Sequence, residues 1–508
     1  MELEFDRDVL LYYDTVAEVT LCQEETLESI VPDACPDILR IVDVCGQTTL
    51  SNKQARQDVA VVGGSVRAVI LYQPEDGAGL RRMEITLPFT CQAEAKGLTE
   101  RGTVLASPRL RYAEARALNP RKVLIRVDLA IDITACRPVE HMMCQSVLDA
   151  ETHNICEKQE TLETYILSSV LEKPFTFTEQ VRFTGNTPGG MQVLAVRAHP
   201  VCGESRIIGN KLIFKGAAEV CALCQEPGGT LTVVRENLPF SQIIEIPTGT
   251  EEGDCRITVE LTGLDWATSP DEGRGIEVTL ELLAQAQIFG RRSLSLLQDL
   301  YSTSHTTEVS MEAQELCRLE EFSVRPQAVR ELLETDDLIR SVVDSRITLG
   351  EVTQIREDDQ AVLTAETWVA VLYQDESGQL RTLRRVIPVV CRVGCLPGFR
   401  CSCICRHSGE LYAVPSAGGA EVRFALEFQC MITERTQTPC VCEARIGDLR
   451  TAGEGVRPSV ILRLASPGEG VWELAKAYGT TGEQILQANE LTNGDCLDGR
   501  MLLIPSLR

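Results

Sequence analysis

Internal repetition constrains this chain most. Three segments about 150 residues apart share one layout: 66–89 (VRAVILYQPEDGAGLRRMEITLPF), 219–240 (EVCALCQEPGGTLTVVRENLPF) and 368–389 (WVAVLYQDESGQLRTLRRVIPV). Each is a β-type run, a turn, and a second run ending on an apolar residue and a proline: Pro88, Pro239 or Pro388. The turns Pro74-Glu75-Asp76-Gly77, Glu226-Pro227-Gly228-Gly229 and Asp375-Glu376-Ser377-Gly378 favour chain reversal, because Pro presets φ and Gly permits φ > 0. All three read as hairpins. A period this long exceeds that of solenoid units, so the repeating object is a whole domain.

After each hairpin comes a stretch whose apolar residues recur at every second position, the pattern of a half-buried strand. Copy one has Val123, Ile125, Val127, Leu129, Ile131 and Ile133; copy two has Ile276, Val278, Leu280, Leu282, Ala284 and Ala286; copy three has Val422, Phe424, Leu426, Phe428, Cys430 and Ile432. A looser common opening precedes each hairpin, starting near Glu18, Pro174 and Glu320. The more polar stretches 141–163 and 296–314 read as connectors with some helix. Strand-dominated repeats with hairpins imply antiparallel sheets. The expected fold is therefore mainly β: three antiparallel β-sandwich or barrel-like repeats at 1–150, 151–300 and 301–446.

The pattern then changes. Residues 447–458, with Gly453, Gly455 and Pro458, have linker composition, and 459–508 reads as a small α/β module. Val460 to Leu464 is strand-like, Val471, Leu474, Ala475 and Tyr478 mark one face of a short helix, and Gly479 suits its end. Thr481 with Gln484 makes a capping-box pattern for a second helix, and Met501 to Ile504 supplies a closing strand. The order is strand, helix, helix, strand.

The segment PGEGVWELAKAYGTTGEQILQAN, followed by LDGRMLLIP, resembles the LysM family. That resemblance implies binding through the loop before the first helix and the loop after the second, here 467–472 and 489–497. The candidate partner- or glycan-binding residues are Gly468, Glu469, Gly470, Val471, Trp472, Asn489 and Leu491. The chain has Glu469 and Gly470 where the family commonly carries an Asp and a Ser or Thr, which removes a helix cap and a sugar contact. Trp472 reads either as an exposed contact residue or as part of the small core; Tyr478, on the apolar helix face, reads as core.

Three β-rich repeats ahead of a terminal LysM-like module, the opening VPDACPDI and the hairpin signature ILYQPEDG…ITLPF together resemble the SPOCS-domain proteins of clostridial sporulation. The resemblance implies a non-catalytic adaptor in spore-coat assembly, located in the mother-cell cytoplasm at the forespore surface. Its implied partner is the coat morphogenetic ATPase, stage IV sporulation protein A, bound through the LysM-like module. The alternative is a protein that binds peptidoglycan or another N-acetylglucosamine polymer through the same loops.

Composition narrows the classes further. With 49 basic and 74 acidic residues the net charge is -25, a field that repels nucleic-acid phosphates and anionic lipid. The acidic start of the chain (Glu2, Glu4, Asp6, Asp8) does not read as an export signal, and no apolar run approaches the roughly 18 to 20 residues of a membrane helix. The expectation is a soluble cytosolic protein that neither binds nucleic acid nor inserts into a membrane.

Twenty-one cysteines without an export signal read first as reduced thiols. In Cys401-Ser402-Cys403-Ile404-Cys405 alternate thiols share one strand face, as small buried hydrophobes do. Late oxidative cross-linking and a metal site are the weaker readings. Cys221 and Cys224 have Cys-x-x-Cys spacing, but on a strand they point to opposite faces. None of the five histidines (His141, His153, His199, His305, His407) falls in a triad or metal-binding pattern. Val62-Gly63-Gly64 and Pro188-Gly189-Gly190 read as turns, and Glu24-Glu25 and Glu357-Asp358-Asp359 as solvated surface or turn. No catalytic, cofactor-binding or metal-ligating residues are expected.

Overall fold

The structure is a computed structural model and describes residues 1–77, 79–183, 191–247, 253–269, 275–450, 459–492 and 495–505. Its first eighteen strands fall into three sets of six. The first set is β1 (Phe5–Ile30), β2 (Ile38–Arg56), β3 (Val59–Pro74), β4 (Arg81–Glu94), β5 (Thr103–Asn119) and β6 (Lys122–Val147). The second is β7 (Ile155–Arg182), β8 (Gln192–Ile208), β9 (Lys211–Gln225), β10 (Leu231–Glu245), β11 (Asp254–Thr268) and β12 (Gly275–Ser302). The third is β13 (His305–Glu334), β14 (Ile339–Glu357), β15 (Gln360–Asp375), β16 (Leu380–Gly394), β17 (Phe399–Ser416) and β18 (Gly419–Leu449).

Each set makes the same two antiparallel sheets. In the first, β2-β3-β4 form one, and β6 lies between β1 and β5 in the other. The corresponding strands of the second and third sets pair in the same order. The two sheets of a set face each other over one core, so each repeat is a β-sandwich. The hairpins expected from the Pro/Gly turns are β3-β4, β9-β10 and β15-β16. The alternating stretches are the central strands β6, β12 and β18. Val123, Ile125, Val127, Leu129 and Ile131 are all 0% exposed, as a strand with one face on a core requires.

The stretches expected to be connectors with helix are instead strand. Residues 141–147 complete β6, 155–163 open β7, and 296–302 and 305–314 belong to β12 and β13; a short 3-10 turn at Ala150–His153 is the one helical element there. The six long strands run past the sandwiches as paired ribbons, β1 with β6, β7 with β12 and β13 with β18. Their polar residues hid this, because a ribbon that buries one edge leaves many Glu, Gln and Thr side chains in water. Leu10, Met143, Ile166, Leu294 and Leu316, drawn from all three ribbons, form one buried cluster.

The three sandwiches close into a ring by head-to-tail seams, with each repeat using one surface toward the next and a different one toward the previous. Strand pairing makes Leu71, Leu223 and Leu372 equivalent, opposite Asp43, Ala195 and Asp344. These three leucines meet in one buried cluster. At the seam from repeat three to repeat one, Arg346 and Arg384 hold Asp43 at 2.7 and 3.0 Å. At the seam from two to three, Arg197 and Arg235 hold Asp344 at 2.7 and 3.2 Å. Where repeat one meets repeat two, the equivalent positions are Cys45, Glu84 and Ala195. There Arg67 donates to the Leu264 carbonyl at 2.7 Å, and the Arg82 guanidinium lies 5.1 Å from the Trp266 ring centroid.

Burial pushes the Asp43 carboxyl pKa up, but Arg346, bonded to it directly, and then Arg384 outweigh that and hold it below the usual range. Cys221 and Cys224 do point apart. The Cys221 thiol lies 3.9 Å from Asp344 at the seam, whereas Cys224 is in the core of repeat two. All cysteines are free thiols.

Candidate partner-binding site

The last element group is β19 (Val460–Leu464), α1 (Val471–Tyr478), α2 (Gly482–Ala488) and β20 (Met501–Pro505), the expected order. Residues 447–449 complete β18, and 451–458, the rest of the expected linker, lie outside the described residues. Helix α1 starts at Gly470 with no side-chain cap and ends at Gly479 in the left-handed region, φ 65°, a conformation Gly adopts without strain. Thr481 caps α2 by accepting from the Gln484 N–H at 3.3 Å. The reciprocal half of the box is absent: the Gln484 side chain accepts from Thr480 instead.

Leu474, Ala475, Ile485, Leu502 and Ile504 form the module's core, and Tyr301 from the end of β12 completes it at 1% exposed. The Tyr301 hydroxyl donates to the Thr480 carbonyl at 2.8 Å, and its ring meets Trp472 edge-on at 4.9 Å. Asp299, also on β12, accepts from Trp472 Nε1 at 2.8 Å and pairs with Lys476 at 2.7 Å. The module is thus seated on the ribbon of repeat two.

This seating sorts the candidate residues. Trp472, left open between contact and core, is half-buried against β12. Val471 and Leu491 pack against the module core. Asn489 ties α2 to β20, donating to the Ile485 and Leu503 carbonyls and accepting from the Leu503 N–H, each at 2.7 Å. Gly468 is exposed, and its N–H donates to Asp498 at 2.9 Å, which joins the first loop to the turn before β20. Gly470 caps α1. Glu469 accepts from the Ser466 N–H and pairs with Arg463 at 3.1 Å; the Ser466 bond and then the Arg463 charge hold its carboxyl below the usual range. The second loop is described except for 493–494.

A different surface is left open. β19 and β20 pair with Leu462 opposite Leu503 and Leu464 opposite Met501. The sheet's inner face covers the core, while Val460, Leu462, Leu464, Met501 and Leu503 point outward at 40 to 67% exposure. Scattered exposed apolar residues are ordinary; five contiguous ones on one sheet face make a candidate interaction surface. A signal for it existed in VILRL and MLLIP: both are apolar nearly throughout, and a two-layer module can bury only one face of its sheet.

Two segments of the chain, 37–118 and 191–267, match the family model described as SipL, SPOCS domain. They correspond to β2 through β5 and β8 through β11, the same four strands of the first two repeats. This match supports a SPOCS, SipL-like relationship for those repeats; β14 through β17 repeat the same order in the third. The chain matches no curated protein and no solved structure. Among the described residues, no helix is long and apolar enough to cross a membrane.

Proposed function

We propose that the chain is a non-catalytic adaptor of spore-coat assembly, acting in the mother-cell cytoplasm at the forespore surface. Its partner is the coat morphogenetic ATPase, stage IV sporulation protein A, which it grips through its LysM-like module. The likeness of two repeats to the SPOCS domain of SipL supports a role in sporulation. The observation that carries the reading is the outward apolar face of β19 and β20, presented on a module seated against a ring of sandwiches. A protein surface buries such a face; a glycan, whose recognition rests on hydrogen bonds and aromatic stacking, does not need it. Trp472 and Asn489, which the peptidoglycan alternative would use, have polar groups already engaged within the chain.

The test is capture of the ATPase from sporulating cells by tagged full-length chain, by chain ending at 458, and by Leu462→Asp, beside sedimentation with purified peptidoglycan. The reading expects ATPase with the full chain alone. Saturable retention on peptidoglycan that needs 459–508, with no ATPase captured, would establish the alternative instead.

A further inference from the structure

The thiols of this chain gather unevenly. Where the central strand of each sandwich meets its neighbour at the sheet edge, repeat three has Cys403 opposite Cys430, repeat one Pro108 opposite Ile131, and repeat two Val259 opposite Ala284. Two residues along, Cys401 lies opposite Ile432, against Ala106 opposite Ile133 and Ile257 opposite Ala286. Ordinary apolar side chains fill this part of the core in two repeats, so packing alone does not call for cysteine in the third.

Geometry puts the pair within reach of a bond. The Cys403 and Cys430 sulfurs are 3.7 Å apart. Residues directly opposite on antiparallel strands have Cα atoms about 4.5 to 5.5 Å apart and side chains on one face, inside the roughly 4.4 to 6.8 Å that a disulfide spans. Cys430 is 0% exposed, whereas Cys403 is only partly buried, so a small reagent in solution meets Cys403 first. The Cys401 hydrogen bond pulls the Cys430 thiol pKa down, but the Cys403 contact and burial outweigh it and push it up to about 12. Cys430 therefore stays protonated and is the second of the two to react. Strand β17 is the edge of its sheet and carries contacts to repeat two: the Ser402 hydroxyl accepts from Arg256 at 2.7 Å, and Arg406 donates to the Cys202 carbonyl at 2.8 Å.

We propose that Cys403 and Cys430 are an oxidation site that forms a disulfide between β17 and β18, with a peroxide as the oxidant. The Cys403 sulfur attacks one peroxide oxygen, the O–O bond breaks, and a sulfenic acid and one water result. The Cys430 sulfur then displaces the sulfenic oxygen as a second water, so two thiols and one hydrogen peroxide give one disulfide and two waters. Sulfur is oxidised, peroxide oxygen is reduced, and both thiol protons end in water. The bond pins an edge strand at the seam, and the site is independent of what the C-terminal module binds.

The test uses full-length chain, reduced, freed of reductant, treated with hydrogen peroxide and then blocked with N-ethylmaleimide. Trypsin releases Cys403 on 401–406 and Cys430 on 424–435, and fragmentation by tandem mass spectrometry locates the link. The expected result is the two peptides joined from Cys403 to Cys430, short of their summed mass by two hydrogens, with maleimide on Cys401 and Cys405. Dithiothreitol before blocking, Cys403→Val and Cys430→Ala should each abolish the joined species. Both substitutions install what repeat two carries at the same place, Val259 and Ala284, so the fold is expected to hold. The proposal is overturned if Cys403 and Cys430 both take maleimide once the exposed Cys22 and Cys496 have oxidised. It is overturned equally if Cys430 is joined to Cys401, Cys405 or another thiol, or ends as an unlinked sulfur acid. Should either variant not fold, the linkage found in the unaltered chain decides alone.

Discussion

A carboxylate whose side chain is 1% exposed survives in a protein interior only if its charge is met, and Asp43 meets two guanidinium groups from another repeat. Removing one side of such a pair leaves an uncompensated buried charge. Asp43→Asn is therefore expected to destabilise the chain by about 3 kcal/mol at neutral pH, read from denaturant unfolding. The pH dependence follows from the depressed carboxyl of Asp43. Its contribution is complete above the unfolded value of about 3.9 and is lost as pH falls through the lower folded value. The gap between parent and variant should close in acid. A gap unchanged down to the acid transition would show that the pair does not hold the seam.

These residues were hard to find in the sequence. Asp43 and Arg346 lie 303 residues apart, in the first and third repeats, and neither carries a motif; only the ring geometry joins them. The cysteines of β17 were more legible, because alternation along a strand fixes which thiols share a face.

At the scale of elements, the repeats match small residues to large ones across one strand pair. Gly64 lies opposite Phe89 and Gly216 opposite Phe240, and at the equivalent place in repeat three Ala365 lies opposite Val389. A Cβ on Gly64 would come within 2.3 Å of the Thr49 carbonyl and 2.5 Å of the Phe89 ring. Gly64→Ala should cost about 1 to 3 kcal/mol by overpacking. Adding Phe89→Val should recover part of that, with a favourable coupling of about 1 kcal/mol in a double-mutant cycle. Strict additivity would mean that the two positions do not share one space. Hairpins and central strands were readable because turn chemistry and a period of two are local signals. The long ribbons were not, since their polar faces mimic connectors and the apolar edges find partners only in the other repeats.

At the scale of the molecule, the module's seating on β12 depends on few groups, so it can be loosened without unfolding either part. Asp299→Ala removes the acceptor of Trp472 and the partner of Lys476 and should cost about 1 kcal/mol of docking, given partial exposure. Hydrogen exchange should then speed up in α1 and leave the sandwich strands unchanged. Equal protection in α1 would mean that Tyr301 and the β7 contacts, Cys156 and the Lys158–Glu473 pair, seat the module without Asp299. The module's fold was legible because its helix ends and strand runs are local signals. That Trp472 faces the ribbon was not, as its partners lie over 170 residues away in the chain.

The ring, the seated module and its outward sheet face make one claim together, that the chain works by presenting the β19/β20 surface to a protein. The affinity of purified full-length chain for the purified morphogenetic ATPase, compared between the parent and Leu462→Asp, tests it most directly. The account predicts saturable binding by the parent, weakened at least about tenfold by a charge in the apolar contact, with the unfolding midpoint unchanged. Equal affinity of the two chains, or binding that persists without residues 459–508, would contradict it.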